Sequence, residues 1–324
     1  MHELRYYNLE APQLDEQLRP AEPSYRLVLV GGEGPEGDPD PSQWLQAYDP
    51  KLHGWGRLGD MGVQRRFGCG AAAVGSRLYA FGGQVNPALA PGSMTSYNMA
   101  TKRVKYLAKP PRALQYCAGV ACDGCLYSVG GRGEGAPVAD VYAYNPDTDS
   151  WMAGPALPSA LWGMAAAEHM GAIYACGGRP AGDTPSTLLM LDPRTRAWAS
   201  LPTMPTPTAH AGVAAVSDRM YVPGGNLSSE RDATGNVSRV PILQCYDVAA
   251  GRWDTGCLPM SVARAGLGAA ALHGEVWVVG GVSRDGQPLS SVEIFNPRLN
   301  TWRPSVSLPY ATDLGRCTVV QLSG

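Results

Sequence analysis

Six short runs of β-forming residues, each closed by a pair of glycines, punctuate the chain. Arg26-Leu27-Val28-Leu29-Val30 leads into Gly31-Gly32, Leu78-Tyr79-Ala80-Phe81 into Gly82-Gly83, and Val276-Trp277-Val278-Val279 into Gly280-Gly281; three more pairs stand at Gly130-Gly131, Gly177-Gly178 and Gly224-Gly225. The figure returns about every 50 residues and carries strand and turn signals without helical periodicity, which predicts radial blades and not a stack of helix pairs. In the second unit the small residues 68–74 form one strand, Gly75-Ser76 turns it, and residues 77–81 return antiparallel. A third strand ends in Ser96-Tyr97-Asn98 and a fourth lies around Val104-Lys105-Tyr106, so each unit reads as four antiparallel strands.

Small residues suit the innermost strand, where six blades converge, and a double glycine allows close backbone approach or positive φ. The turn between third and fourth strands is equally regular: Tyr48-Asp49-Pro50 with Trp55, Tyr144-Asn145-Pro146 with Trp151, Leu191-Asp192-Pro193 with Trp198, Tyr246-Asp247 with Trp253, and Phe295-Asn296-Pro297 with Trp302. Asp or Asn starts such a turn by side-chain bonding, and proline presets φ. Each tryptophan offers a large apolar face to pack between blades, a structural role and not a ligand cage. Together these motifs resemble the kelch repeat across about residues 25 to 324. The resemblance implies an all-β, six-bladed kelch β-propeller. Blade two, with Tyr106 where tryptophan is expected, and blade five, with Pro223 before its double glycine, are expected to be the least regular. Residues 25–32 have no innermost strand ahead of them, while residues 316–320 form a strand with none after it; pairing the two predicts a ring closed by the C-terminal strand.

Net charge is −2, so no basic excess points to nucleic acid, and no apolar run approaches the roughly 18 residues that cross a bilayer. The expectation is a soluble cytoplasmic chain, with the nucleus as the alternative. The eight cysteines fall mostly in apolar strand runs and read as buried free thiols. Cys122-Asp123-Gly124-Cys125 has the spacing of half a zinc site or a redox pair, but nothing completes it, and Asp-Gly suits a two-residue hairpin with facing cysteines.

Propellers keep function in loops, because blades are occupied with packing one another. One face joins the residues just after each double glycine (Glu33, Gln84, Arg132, Arg179, Asn226, Val282) to those just before each innermost strand (Arg66, Gln115, Leu161 with Trp162, Thr208 with His210, Arg264, Asp313). The kelch resemblance implies a peptide pocket there. Its candidates are Arg66, Arg264, Arg132, Arg179, Gln84, Gln115, Glu33, Asn226, Trp162 and His210, with Arg66 and Arg264 matching best. Several guanidinium groups around one mouth suit bidentate capture of carboxylate or phosphate; the alternative for each arginine is a solvated rim or a pairing with nearby Asp or Glu. Residues 33–41 and 226–241 are long loops, where partner selection commonly resides.

No Ser-His-Asp signature, paired histidines or phosphate-binding glycine loop points to an enzyme or cofactor. Some kelch propellers are sialic-acid epimerases or copper oxidases; the first reading would ask Glu33, Arg66 and His210 to act on a sugar acid, and the second needs a Tyr/Cys/His set with no match here. Residues 1–24 read as a junction: His2-Glu3-Leu4-Arg5-Tyr6-Tyr7 suits the last turns of a helix, Pro12, then Pro20 and Pro23, end it in an extended segment, and Arg5-Tyr6-Tyr7-Asn8-Leu9 is followed by Leu14, Gln17, Leu18, Arg19 and Pro20. That stretch resembles the tail of the BACK domain in BTB-BACK-kelch proteins. The resemblance implies BTB and BACK parts outside this chain that bind a cullin scaffold, with the propeller holding short peptide segments of substrates for ubiquitin transfer. A cytoskeletal, actin-binding scaffold is the reading from another class.

Overall fold

A computed structural model of the chain describes residues 24–35, 44–62, 67–84, 93–181, 187–231 and 237–322, without the side chains of Phe67, Gln84 and residues 228–231. The helix expected near residue 5, and Arg66, lie outside the described residues. Six four-stranded antiparallel sheets follow one another around a central channel. From the centre outward, blade two is Phe67–Val74, Arg77–Gln84, Met94–Asn98 and Val104–Leu107, and blade three is Ala118–Cys122, Cys125–Val129, Val141–Asn145 and Ser150–Ala153. Blade four is Ala165–His169, Ala172–Cys176, Leu188–Asp192 and Ala197–Ser200; blade five is Ala214–Val216, Arg219–Pro223, Leu243–Asp247 and Arg252–Asp254. Blade six is Gly268–Leu272, Glu275–Val279, Val292–Asn296 and Thr301–Ser305.

Blade one closes the ring as its strand pattern predicts. Arg316–Leu322 is its innermost strand, followed outward by Ser24–Val30, Trp44–Asp49 and Gly54–Asp60. The two chain ends pair from Ser24 opposite Leu322 to Val30 opposite Arg316. A second clasp lies beside this seam: the Gln46 amide donates to Thr312 Oγ1 (3.0 Å) and its carbonyl accepts from the Tyr310 N–H (3.2 Å), with the Trp44 ring edge-on to Tyr310.

The channel wall is built from small residues, because the innermost strands crowd there. Ala71–Ala73, Gly119–Ala121, Ala269–Ala271 and their counterparts line it. A Cβ on Gly119 of blade three would stand 2.5 Å from the Ala71 nitrogen of blade two, so only glycine fits. Apolar clusters then fill each gap between blades, as where Tyr221 and Cys245 of blade five meet Val276, Val278 and Phe295 of blade six.

The outer turns repeat one device. The side-chain oxygens of Asp49, Asn98, Asn145, Asp192, Asp247 and Asn296 each accept a backbone N–H two or three residues on. The tryptophans do more than pack. Trp151, Trp198, Trp253 and Trp302 each donate the indole N–H to a carbonyl in the linker from the preceding blade, at Ala108, Pro155, Pro202 and Leu258, over 2.8–2.9 Å. Tyr106 takes the same part in blade two, its hydroxyl donating to the Gly62 carbonyl at 2.6 Å, and the described strands of this blade pair without the expected irregularity of register. In blade five Pro223 has no N–H to offer and the innermost strand shrinks to Ala214–Val216, while blade one carries a register shift between Leu45 and Gln46. Cys122 and Cys125 face each other across a hairpin turn with Asp123 and Gly124 at positive φ, as the sequence predicts. No helix among the described residues is long and apolar enough to cross a membrane.

Candidate functional site at the channel mouth

The mouth is rimmed by one residue from each blade, and these six residues form a collar. They are Gly68, Tyr116, Gly163, His210, Gly266 and Leu314, all at positive φ between 54° and 68°. Five successive backbone hydrogen bonds join them: Tyr116 to Gly68, Gly163 to Tyr116, His210 to Gly163, Gly266 to His210 and Leu314 to Gly266, at 2.6–3.0 Å. Glycine alternates with a large residue for a steric reason. A Cβ on Gly68 would meet the Tyr116 ring at 2.8 Å, and one on Gly163 would meet the His210 ring at 2.9 Å. Tyr116, His210 and Leu314 therefore hold a backbone conformation that costs an L-residue about 1 kcal/mol or more each, and such strain gathers where geometry matters for binding.

Outside the collar, the residues after the double glycines bridge those before the innermost strands: Glu33 with Asp313, Gln115 with Arg132, Trp162 with Arg179, and Ala209 with Asn226. The two sets picked out in the sequence thus meet on one face. Trp162 lies 5.3 Å from Tyr116 and 5.1 Å from His210, ring centre to ring centre, so three blades contribute one aromatic cluster. The Arg132 guanidinium stacks on Trp162 at 4.8 Å, anchored by a bond from Nη2 to the Gly135 carbonyl. Gln84 pairs with Phe67 at the same level of blade two, its side chain being outside the described residues, and Glu33 is exposed on the opposite rim.

Arg264 departs from its expected place at the rim. It is fully buried, donating to Glu293 (2.6 Å), to the Ser291 hydroxyl and to the carbonyls of Gly280 and Ser291. Glu293 also accepts from the N–H and hydroxyl of Ser261. The guanidinium is an internal clamp of blade six, and no ligand at the mouth reaches it. Such a buried pair matters mainly because loss of either partner strands the other.

The sequence reading missed Arg316 as a site residue. It comes from the closing strand, bonds the Cys69 carbonyl through Nε (3.3 Å), and keeps Nη2 buried with no hydrogen-bond partner. Around it, between Met164, Leu267 and Arg316, the channel has about 40 Å³ of open space, against about 320 Å³ farther along. Among the described residues the mouth is consequently a cup with the Arg316 guanidinium at its floor.

Burial shifts two titratable groups of the cup, His210 and Asp313, in opposite directions. Burial, with help from Arg316 and Arg179, pushes the His210 imidazole down to about 3, so it is neutral and its Nδ1 is buried without a partner. Burial pushes the Asp313 carboxyl up to about 7 against the opposing Leu314 N–H, Arg239 and Arg316. Asp313 belongs to the set of residues that the sequence places just before each innermost strand, whereas Tyr116 could be found only by aligning the six units on those strands, where it falls level with His210 and Leu314. No group of three or more metal-ligating side chains occurs among the described residues.

Comparison with known proteins agrees with this architecture. Residues 23–225 match the KLHDC2/KLHL20/DRC7 Kelch-repeats domain, and residues 263–309 match the Kelch motif. Human Kelch-like protein 33 is 32% identical over 165 residues, 47% of this chain and 31% of that protein. Human Kelch-like protein 23 is 24% identical over 86% of this chain and 49% of its own length, and Danio rerio Kelch-like protein 15 is 25% identical over 92% and 44%. The chain thus spans about half or less of the curated relatives it matches. The solved structure described as "Structure of YjhT" superposes with a TM-score of 0.66 at 19% identity, covering 80% of this chain and 89% of that one, a likeness of fold. With six kelch units, a closed ring and a family match across most of its length, the chain belongs to the KLHDC2/KLHL20/DRC7 kelch-repeats domain family.

Proposed function

We propose that this propeller is a protein-interaction domain that holds a short peptide segment of a partner in the channel mouth, as the substrate receptor of a cullin-RING ubiquitin ligase adaptor. The observation that carries the reading is the convergence of Arg132, Arg179 and the floor residue Arg316 on the Tyr116–Trp162–His210 cluster. Guanidinium groups in a partly desolvated cup favour a carboxylate or phosphate, and the aromatic wall supplies apolar area for the flanking residues. Gln115, Asn226 and Glu33 line the rim, and Arg66 and Gln84 belong to the same loop set by sequence position. The cullin scaffold would be reached through BTB and BACK parts like those the N-terminal resemblance implies, and all chemistry of ubiquitin transfer would belong to the ligase.

Affinity capture from cell lysate tests this, comparing the wild-type chain with an Arg132→Ala, Trp162→Ala double variant. Loss of a small set of proteins sharing an acidic or phosphorylated segment is the expected result. An identical set from both would sink the mouth reading and turn attention to the blade sides, where an actin-binding scaffold would make its contacts.

One observation favours a second reading, a sugar-acid enzyme. An Asp313 carboxyl near 7 is tuned for proton transfer, whereas His210 near 3 is a weak base. Turnover of a sialic acid followed by NMR, abolished by Asp313→Asn, would establish it, and unchanged spectra would exclude that substrate.

A further inference from the structure

Arg132, whose guanidinium stacks on Trp162, is carried by a short hairpin, and a second arginine from another segment is packed against that hairpin. Within it Arg132 pairs with Pro137 and Gly133 with Ala136. Glu134, Gly135 and Ala136 at the tip are exposed, yet Gly133 is buried. Arg112, from the linker between blades two and three, covers it: a Cβ on Gly133 would stand 2.5 Å from Arg112 Nε, 2.9 Å from Cζ and 3.2 Å from Nη2. Gly133 is not among the residues at positive φ, so the backbone does not demand glycine there; the room taken by the guanidinium does. Arg112 Nη1 donates to Asp140 Oδ2 at 3.1 Å, an oxygen that also accepts from the Tyr142 hydroxyl. Asp140 stands at the foot of the hairpin, where its carbonyl accepts the Gly130 N–H. Arg112 Nη2 faces Glu134 at 3.9 Å, an exposed pair that by itself contributes little. One guanidinium thus spans the hairpin from foot to tip.

We propose that Arg112 is a positioning residue for the mouth: by clamping the 132–137 hairpin it fixes the Arg132 guanidinium over Trp162, and so sets how tightly an anionic partner group is held without touching it. The role rests on the mouth being the partner site. Arg132 is secured by its backbone pairing with Gln115 (2.7 and 2.9 Å), by the bond from its Nη2 to the Gly135 carbonyl (2.7 Å), and by the ring beneath it. The Gly135 carbonyl belongs to the exposed tip, so a tip that lifts carries the guanidinium off the ring. A hairpin with two residue pairs has little stability of its own. Arg112 supplies what it lacks, with a planar fork that an ammonium could not replace. The same linker provides Gln115 and Tyr116, so clamp, rim and collar move as one segment.

The test uses the full chain and side-chain NMR. The Arg132 Nε–H signal, assigned by its absence in Arg132→Lys, is expected to be displaced from the other arginine signals by the Trp162 ring. Arg112→Ala should return it toward the ordinary arginine position. Gly133→Ala, which pushes the same guanidinium aside from within the hairpin, should do likewise. Each should weaken binding of inorganic phosphate, titrated as the probe and measured by calorimetry, about tenfold. The double variant should lose no more than either single one, whereas two unrelated losses would add. Should Arg112→Ala not fold, Gly133→Ala carries the same comparison. An Arg132 signal that stays in place in both variants, a phosphate affinity equal to wild type, or losses that add in the double variant would each overturn the proposal. A wild-type chain indifferent to phosphate would instead count against an anion-binding mouth, and the Arg132 signal would still decide what Arg112 positions.

Discussion

At the residue scale, the two displaced titrations of the cup make opposite demands on stability. The folded state keeps His210 deprotonated between pH 6.5 and about 3, so the unfolded chain binds more protons there and stability rises with pH across that window. Asp313 keeps its proton between 3.8 and about 7, so its contribution is present at low pH and is lost as pH rises through about 7. Where the windows overlap the slopes cancel. Asp313→Asn preserves an oxygen for the Leu314 N–H but removes one slope. Its stability relative to wild type should climb with pH between pH 4.5 and 6 by at most about 1.4 kcal/mol per pH unit. Urea midpoints across that range check this, and a variant that tracks the wild type at every pH would show that Asp313 titrates normally.

At the element scale, the blades were legible in the sequence where their signals are local. An Asp or Asn that bonds a backbone N–H two residues on, a glycine pair at positive φ and a Cys-Asp-Gly-Cys hairpin depend on neighbouring residues alone. Arg264 was not legible, because its direction is set by Glu293, Ser291 and Gly280 across the blade. Tyr106 was misjudged for a related reason: its hydroxyl replaces an indole by reaching a carbonyl of the previous blade. That bond makes a prediction. Tyr106→Phe should lower stability by about 0.5–1 kcal/mol, read from the denaturant midpoint. A midpoint equal to wild type would mean that ring packing alone joins blades one and two.

At the scale of the whole molecule, the ring brings together groups that the sequence keeps far apart. Arg316 reaches the Cys69 carbonyl, and Glu33 pairs with Asp313, only because the last described strand completes blade one. The floor of the cup and the closure of the ring are therefore one feature. Deleting residues 311–324 would uncover Leu27, Leu29 and Val30, each at most 1% exposed, and would remove Arg316. Unpacking several such side chains costs about 1.5–3 kcal/mol each, so a markedly lower thermal midpoint is expected. An unchanged midpoint would contradict closure through this strand.

Partner binding at the channel mouth, the function proposed for this propeller, would shield backbone amides there. Hydrogen exchange of the chain, with and without a captured partner, locates the contact without altering the protein. Added protection at Gln115, Tyr116, Trp162 and His210, and over residues 132–137, is the result this account predicts. Protection confined to outer strands such as Gly54–Asp60 and Thr301–Ser305 would contradict it.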